Sequence, residues 1–236
     1  MIEQNERVLG GAMILYTWFG SPICRPIQMF IADNRIKIEY RFVDLVAGQQ
    51  FEPAYARINP NGAVPVLDDG SFRLTEASAI LKYLAEKARS PAYPKALKPR
   101  AQVNATMDWV NTGLYRNFGY GLCYPQVLDG QRWKDPNTQA QVLAASRDAS
   151  RRLLGVMNEH LLGGRWPWLC GDRITIADYF ASGILSLGEL IGCSFAEWPN
   201  VQRWYGQMQA RPNWKIANAA LYDWAAAVRG PQYLKV

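Results

Sequence analysis

The spacing of apolar residues changes character partway along the chain. Through about residue 89 short apolar runs alternate with helical spacings, and beyond about residue 100 almost every segment repeats with the period of a helix. Ile14-Leu15-Tyr16-Thr17-Trp18-Phe19 is short, apolar and rich in β-branched and aromatic side chains, which predicts a buried strand. Gly20-Ser21-Pro22 interrupts it, after which Ile23, Ile27, Phe30 and Ile31 recur at helical spacing. Pro26 fits only a first turn, where no amide hydrogen is needed, so this helix starts near Ile23 or Cys24. Residues 39–43 alternate as a second strand and residues 51–58 suit a short helix. Asn59-Pro60-Asn61-Gly62 is a turn leading into Ala63-Val64-Pro65-Val66-Leu67, where Pro65 demands a strand start, an edge or a cis bond because it cannot donate to a ladder. Asp68-Asp69-Gly70 predicts a hairpin turn to Phe72-Arg73-Leu74. Thr75 then predicts the cap of a helix whose apolar face is Ala77, Ile80, Leu81 and Leu84, with Glu76 in its first turn.

The order β-α-β-α-β-β-α thus fills residues 13–89. Pro91, Pro94 and Pro99 mark residues 90–99 as a linker, and residues 100–236 read as all helical. Helices are predicted over residues 100–118, 138–162, 175–190 and 199–210, with an irregular stretch through Pro136 and a stop at Gly163-Gly164-Arg165-Trp166-Pro167. Thr175 and Asp178 form a capping box, flanked by Ile174 and Tyr179 as a hydrophobic staple. Residues 1–12, ahead of Met13, read as an extension or an alternative start.

Composition narrows the class. With 49% hydrophobic and 19% charged residues in 236, the chain can bury a large core and is not disordered. The charge of +6 comes from scattered residues; the densest stretch, Lys87, Arg89, Lys95, Lys98 and Arg100, reads as a solvated connector rather than a nucleic-acid patch. Cys24, Cys123, Cys170 and Cys193 lie far apart beside a single histidine, which argues against a metal site and a disulfide scaffold and for a reducing, cytoplasmic setting. No apolar run approaches the roughly 20 residues of a membrane span. His160 sits at a helix end where its charge suits the dipole.

Candidate chemistry gathers at Trp18-Phe19-Gly20-Ser21-Pro22-Ile23-Cys24-Arg25, where a strand gives way to a helix. The first amide N–H groups of a helix have no internal partner and its dipole is positive there, so an anion held against this turn is stabilised. Ser21 and Cys24 can use that field, and Arg25 either raises the local potential or pairs with a carboxylate.

Four features in order, S-x-x-C at the first strand–helix turn (Ser21, Cys24), Val64-Pro65 before the third strand, Thr75-Glu76 at the third helix, and the Thr175-Ile176-Ala177-Asp178 box, resemble the cytosolic glutathione transferases. The likeness runs from about Met13 to Ala210 and is nearest to the serine-type, theta-like and bacterial branch. It implies a thioredoxin-like α/β N-terminal domain (13–89) that binds glutathione, and an all-helical domain (100–236) that lines the site for an electrophile. On that resemblance Ser21 donates to the glutathione sulfur, Val64 and a cis Pro65 pair with the cysteinyl backbone, and Glu76 with Ala77 and Ser78 meets the γ-glutamyl end. Ala77 stands where the family usually has Ser, and Ala63 where theta-like members often carry Lys or Gln; Gln49, Gln50 and Arg57 are candidates for the remaining contact. Tyr115, Phe118 and Trp224 are the expected electrophile-pocket residues, and Asn104 aligns where relatives reach the partner subunit's glutathione. The function implied is a detoxifying, homodimeric transferase that uses glutathione and a small hydrophobic electrophile, without metal, nucleic acid or membrane. The alternatives are a non-catalytic binding or assembly module of the same fold, and a glutathione-dependent disulfide reductase using Cys24.

Overall fold

The computed structural model describes residues 13–163, 166–230 and 232–236. The extension 1–12, and Gly164 and Arg165 of the expected helix stop, lie outside the described residues.

The α/β half contains β1 (Ile14–Thr17), α1 (Arg25–Asp33), β2 (Glu39–Phe42), α2 (Pro53–Ala56), β3 (Val66–Asp69), β4 (Phe72–Leu74) and α3 (Ala77–Lys87). The sheet order is β2-β1-β3-β4, with β2 parallel to β1, β3 antiparallel to β1 and β4 antiparallel to β3. Because side chains alternate across a strand, the two faces separate cleanly. Leu15 and its partner Leu67 join Ile27, Phe30, Ile80 and Leu84 on the α1/α3 side. Tyr16 and its partner Val66 join Cys24, Val43 and Tyr55 on the α2 side.

Three local expectations shift. Asp68 and Asp69 lie inside β3, paired with Arg73 and Phe72, so the turn is Gly70-Ser71, with Gly70 at φ +64° supplying the left-handed conformation. The carboxylates stay in the strand because Arg73 grips Asp68 across it, with nitrogen–oxygen distances of 2.6 and 2.7 Å. The N-cap of α3 is Glu76 rather than Thr75, and no side chain caps that helix. Helix α2 is a single turn preceded by a tight 3₁₀ turn at Gln49–Phe51.

The helical half begins with α4 (Leu97–Trp109), which starts ahead of residue 100 and does not stop at residue 118. It widens into π turns over Val110–Cys123 and resumes as α5 (Tyr124–Val127), replacing the irregular stretch expected there. Then come α6 (Pro136–Val156), which Asp135 caps through Thr138 N–H at 2.7 Å, a π turn at Met157–Leu161, α7 (Ile176–Leu185), α8 (Gly188–Ile191), α9 (Pro199–Gln209), α10 (Trp214–Ala217) and α11 (Ala219–Ala227). All ten residues of α7 are buried, so it is the axis of this half. Its capping box is formed as the spacing predicts: Asp178 accepts from Thr175 N–H at 2.7 Å and Thr175 O–H at 2.9 Å. The same carboxylate accepts from Leu169 N–H and the Trp204 indole N–H, tying the loop before α7 and helix α9 to one point.

Helix α1 is fastened to the helical half at both ends. At its start the Arg25 guanidinium donates to Ser186 Oγ at 2.9 Å and to Asn218 Oδ1. At its end Asp33 accepts from Tyr179, Arg211 and Asn213, the shortest contact being 2.6 Å to Arg211. The turn that precedes α1 is therefore held in place by both halves of the molecule. None of the described helices is long and apolar enough to cross a membrane.

Candidate functional site

The chain leaves β1 at Thr17 and enters α1 through a tight turn in which the Ser21 carbonyl accepts from the N–H groups of Cys24 and Arg25. Ser21 Oγ accepts from the amides of Ile23 at 3.4 Å and Cys24 at 3.3 Å. With its lone pairs facing these amides, the hydroxyl offers its O–H to a sulfur, and the neighbouring Cys24 is one such acceptor. Ser21 borders a hollow of about 690 Å³ whose far wall includes Tyr115, Tyr124 and Trp224. Trp224 meets Trp18 edge to face, ring centroids 6.1 Å apart, so the C-terminal helix α11 closes over the turn.

Cys24, three residues on, faces the other way. It has no exposure and packs among Tyr16, Val43, Tyr55 and Val66, and burial pushes its thiol above the ordinary range, with the Ser21 hydrogen bond only partly opposing this. Arg25 is also buried and pairs with no carboxylate among the described residues. Its Nε and second terminal nitrogen have no partner, and burial draws the guanidinium down to about 10.

A second hollow of about 550 Å³ adjoins the first, sharing Ile23, Val64, Tyr115 and Tyr120 as common wall. The Val64–Pro65 bond is cis, and the loop before it is held by Asn59, whose Nδ2 donates to the Ala63 carbonyl at 2.7 Å, and by Tyr55 O–H on the same oxygen at 2.8 Å. Among the described residues the N–H and C=O of Val64 bond to no other backbone group, while both hollows open onto this residue. Beyond it, Glu76 sits at φ +66°, a conformation that costs a non-glycine residue about 1–3 kcal/mol and that clusters at ligand sites. Thr75, Glu76 and Ala77 line this second hollow from the α/β side, and Asn111, Thr112 and Arg116 line it from the helical side.

The structure thus brings Val64, Pro65, Glu76 and Ala77 to one hollow and Ser21, Tyr115 and Trp224 to the next, with Val64 and Tyr115 between them. Ser78 lines neither hollow. Phe118 is fully buried and packs at a tilt against Phe195, ring centroids 6.3 Å apart, in the core rather than on a wall. The reason is the π geometry. At about 4.4 residues per turn, positions four or five apart share a face, while positions three apart diverge by more than a right angle. Tyr115, Tyr120 and Tyr124 therefore form the lining strip, with Tyr115 and Tyr124 hydroxyls 3.0 Å apart, and Phe118 turns away. Burial raises both phenols well above their usual range. Of the candidates for the remaining contact, Gln50 lines the hollow, Gln49 is spent on the Asp44 amide at 2.8 Å, and Arg57 lies on neither wall. Asn104 accepts from Tyr93 O–H at 3.1 Å. His160 lies far along the chain from these walls, beside the linker. Asn111 and Arg116 were missed from the sequence, although Asn111 stands four residues before Tyr115, a spacing that shares a helical face; Arg116, directly after Tyr115, carries no such signal.

Known proteins resemble this chain in sequence and fold. The family model "Glutathione S-transferase, N-terminal domain" matches residues 11–86, and "Glutathione S-transferase, C-terminal domain" matches residues 124–212. The chain is 34% identical over 199 residues to glutathione S-transferase theta-1 of Bos taurus, covering 83% of this chain and 82% of that protein. Among solved structures, human glutathione S-transferase T1-1 in its apo form superposes with a TM-score of 0.81 at 30% identity, over 94% of this chain and 93% of that one. Human glutathione transferase theta-2, solved in complex with glutathione and an unknown ligand, superposes with a TM-score of 0.81 at 29% identity, over 95% and 94%. With an α/β thioredoxin-like half followed by an all-helical half, and with theta-class relatives alike along most of its length, the chain belongs to the cytosolic glutathione S-transferase family.

Proposed function

We propose that the protein binds glutathione across the two adjoining hollows, holds its sulfur as a thiolate beside Ser21, and transfers it to a small hydrophobic electrophile lodged against Tyr115 and Trp224. The observation that carries this reading is the Ser21 hydroxyl, which accepts from two backbone amides and borders the hollow at the positive end of α1, where its O–H is placed to donate to a bound sulfur. A free thiol titrates near 8.5, so keeping it ionised at neutral pH by lowering it about two pH units requires roughly 2.7 kcal/mol of preferential stabilisation. A fixed hydroxyl donor plus a helix N-terminus is the kind of preorganised electrostatic site that supplies such energies. The buried Arg25 guanidinium, with no carboxylate to neutralise it, adds positive potential at the same end of the helix. Ser21 is a stabiliser of someone else's sulfur, and the rate comes from that and from holding two reactants together.

In this reading Val64 adds the tripeptide as a short strand through its free N–H and C=O. Glu76 faces the γ-glutamyl ammonium and Gln50 lies toward the glycyl end. Full burial of Cys24 counts against the disulfide-reductase alternative. The protein acts as a cytoplasmic homodimer, a setting in keeping with four free cysteines. Calorimetry with glutathione, together with conjugation of an aryl halide by wild type and Ser21→Ala, tests the reading. Micromolar to millimolar binding with activity that falls in the variant supports it, and absence of binding at millimolar glutathione favours the non-catalytic module.

A further inference from the structure

The hollow that carries Glu76 has two charged residues in its lining, Glu76 from the α/β half and Arg116 from the π segment of the helical half. They do not form an ion pair, and among the described residues neither side chain makes any hydrogen bond. Opposite charges that face one hollow from two domains yet stay apart leave space for a group bearing both signs. An α-amino acid end, with an ammonium and a carboxylate on one carbon, is such a group. The α/β wall offers the carboxylate no cationic side chain, and Ala77 at the start of α3 has no hydroxyl, so Arg116 is the one positively charged group in the lining.

We propose that Arg116 recognises the α-carboxylate of the γ-glutamyl end while Glu76 recognises its ammonium, so that the two halves of the chain jointly read an amino-acid zwitterion. This rests on the hollow being the glutathione site. A planar guanidinium suits a carboxylate through two parallel N–H donors, a fit that a point charge does not reproduce. Arg116 is a specificity-determining residue and takes no part in sulfur activation. It stands one residue along the π strip from Tyr115, which lines the neighbouring hollow, so closing on the zwitterion also sets the position of the electrophile wall.

The test is calorimetric titration of wild type, Arg116→Gln and Arg116→Lys with glutathione, with the analogue lacking the α-carboxylate (4-aminobutanoyl-cysteinylglycine) and with the analogue lacking the α-amine (glutaryl-cysteinylglycine). Arg116 is exposed, so the variants fold, which thermal melts verify. Arg116→Gln is expected to bind glutathione about tenfold more weakly, the usual scale for a lost charge-assisted hydrogen bond, yet to bind the carboxylate-free analogue as wild type does. It keeps the wild-type penalty against the amine-free analogue, and Arg116→Lys recovers only part of the loss. Unchanged glutathione affinity in Arg116→Gln, or an equal loss for glutathione and the carboxylate-free analogue, overturns the proposal while leaving the glutathione site intact. Failure of the wild type to bind any of the three overturns the glutathione reading and this one with it.

Discussion

Trp18, on the turn that carries Ser21, and Trp224, on helix α11 near the C-terminus, meet edge to face at 6.1 Å and wall the same hollow. The turn comes from the α/β half and the lid from the last helix, so the electrophile side of the site exists only when both halves are docked.

Removing that lid separates the two substrates. Trp224→Ala gives up an aromatic pair worth about 0.5–1.5 kcal/mol and the apolar wall beside it. The expected outcome is a KM for an aryl electrophile raised about two- to tenfold with glutathione affinity unchanged, measured by steady-state kinetics and calorimetry. Equal weakening of both substrates would mean that Trp224 supports the fold rather than the pocket.

Docking itself depends on Arg25. The buried guanidinium leans on Ser186 and Asn218 with two of its nitrogens unpartnered, so losing one acceptor leaves a cation still less satisfied. Asn218→Ala is expected to cost about 1.5–3 kcal/mol, seen as a Tm several degrees lower. The double variant Arg25→Met/Asn218→Ala recovers part of that loss, because an apolar side chain needs no partner.

Cys24 supplies a pH prediction. Burial holds its thiol above the ordinary value, so at pH 7 to 8 it is protonated and screened from reagents. Alkylation of the native protein should spare Cys24 until the chain unfolds, as read by mass spectrometry. Cys24→Ala should leave the acid limb of the kcat/KM profile where it was, since the titrating sulfur belongs to glutathione. A shifted limb would assign thiol chemistry to the protein.

Asp178 receives four donors from three parts of the helical half. Asp178→Asn replaces one acceptor oxygen with an amide group that faces donors. A loss of at least about 3 kcal/mol in urea unfolding is the expected result, larger than the roughly 1 kcal/mol of a simple cap.

What could be read from residues alone was whatever short-range chemistry decides. The Thr175–Asp178 box, the strand–helix turn at Ser21 and the special bond before Pro65 each follow from a side chain acting on its own neighbours, and each is found. Phe118 shows the limit: an α-helical period puts it beside Tyr115, whereas the segment folds as π turns that part them, and no local residue pattern announces those turns. Arg116 and Asn111 reach the wall from the same segment. Glu76 was expected inside the first turn of α3, yet its positive φ makes it the cap, a conformation that side-chain type alone does not predict for a glutamate.

The most direct test of the account is the ultraviolet thiolate absorbance of bound glutathione, followed against pH in wild type and Ser21→Ala. The account predicts a bound thiol that ionises well below the roughly 8.5 of a free thiol in the wild type and returns toward that value when the hydroxyl is removed. Bound glutathione that ionises at the same pH in both proteins would contradict it.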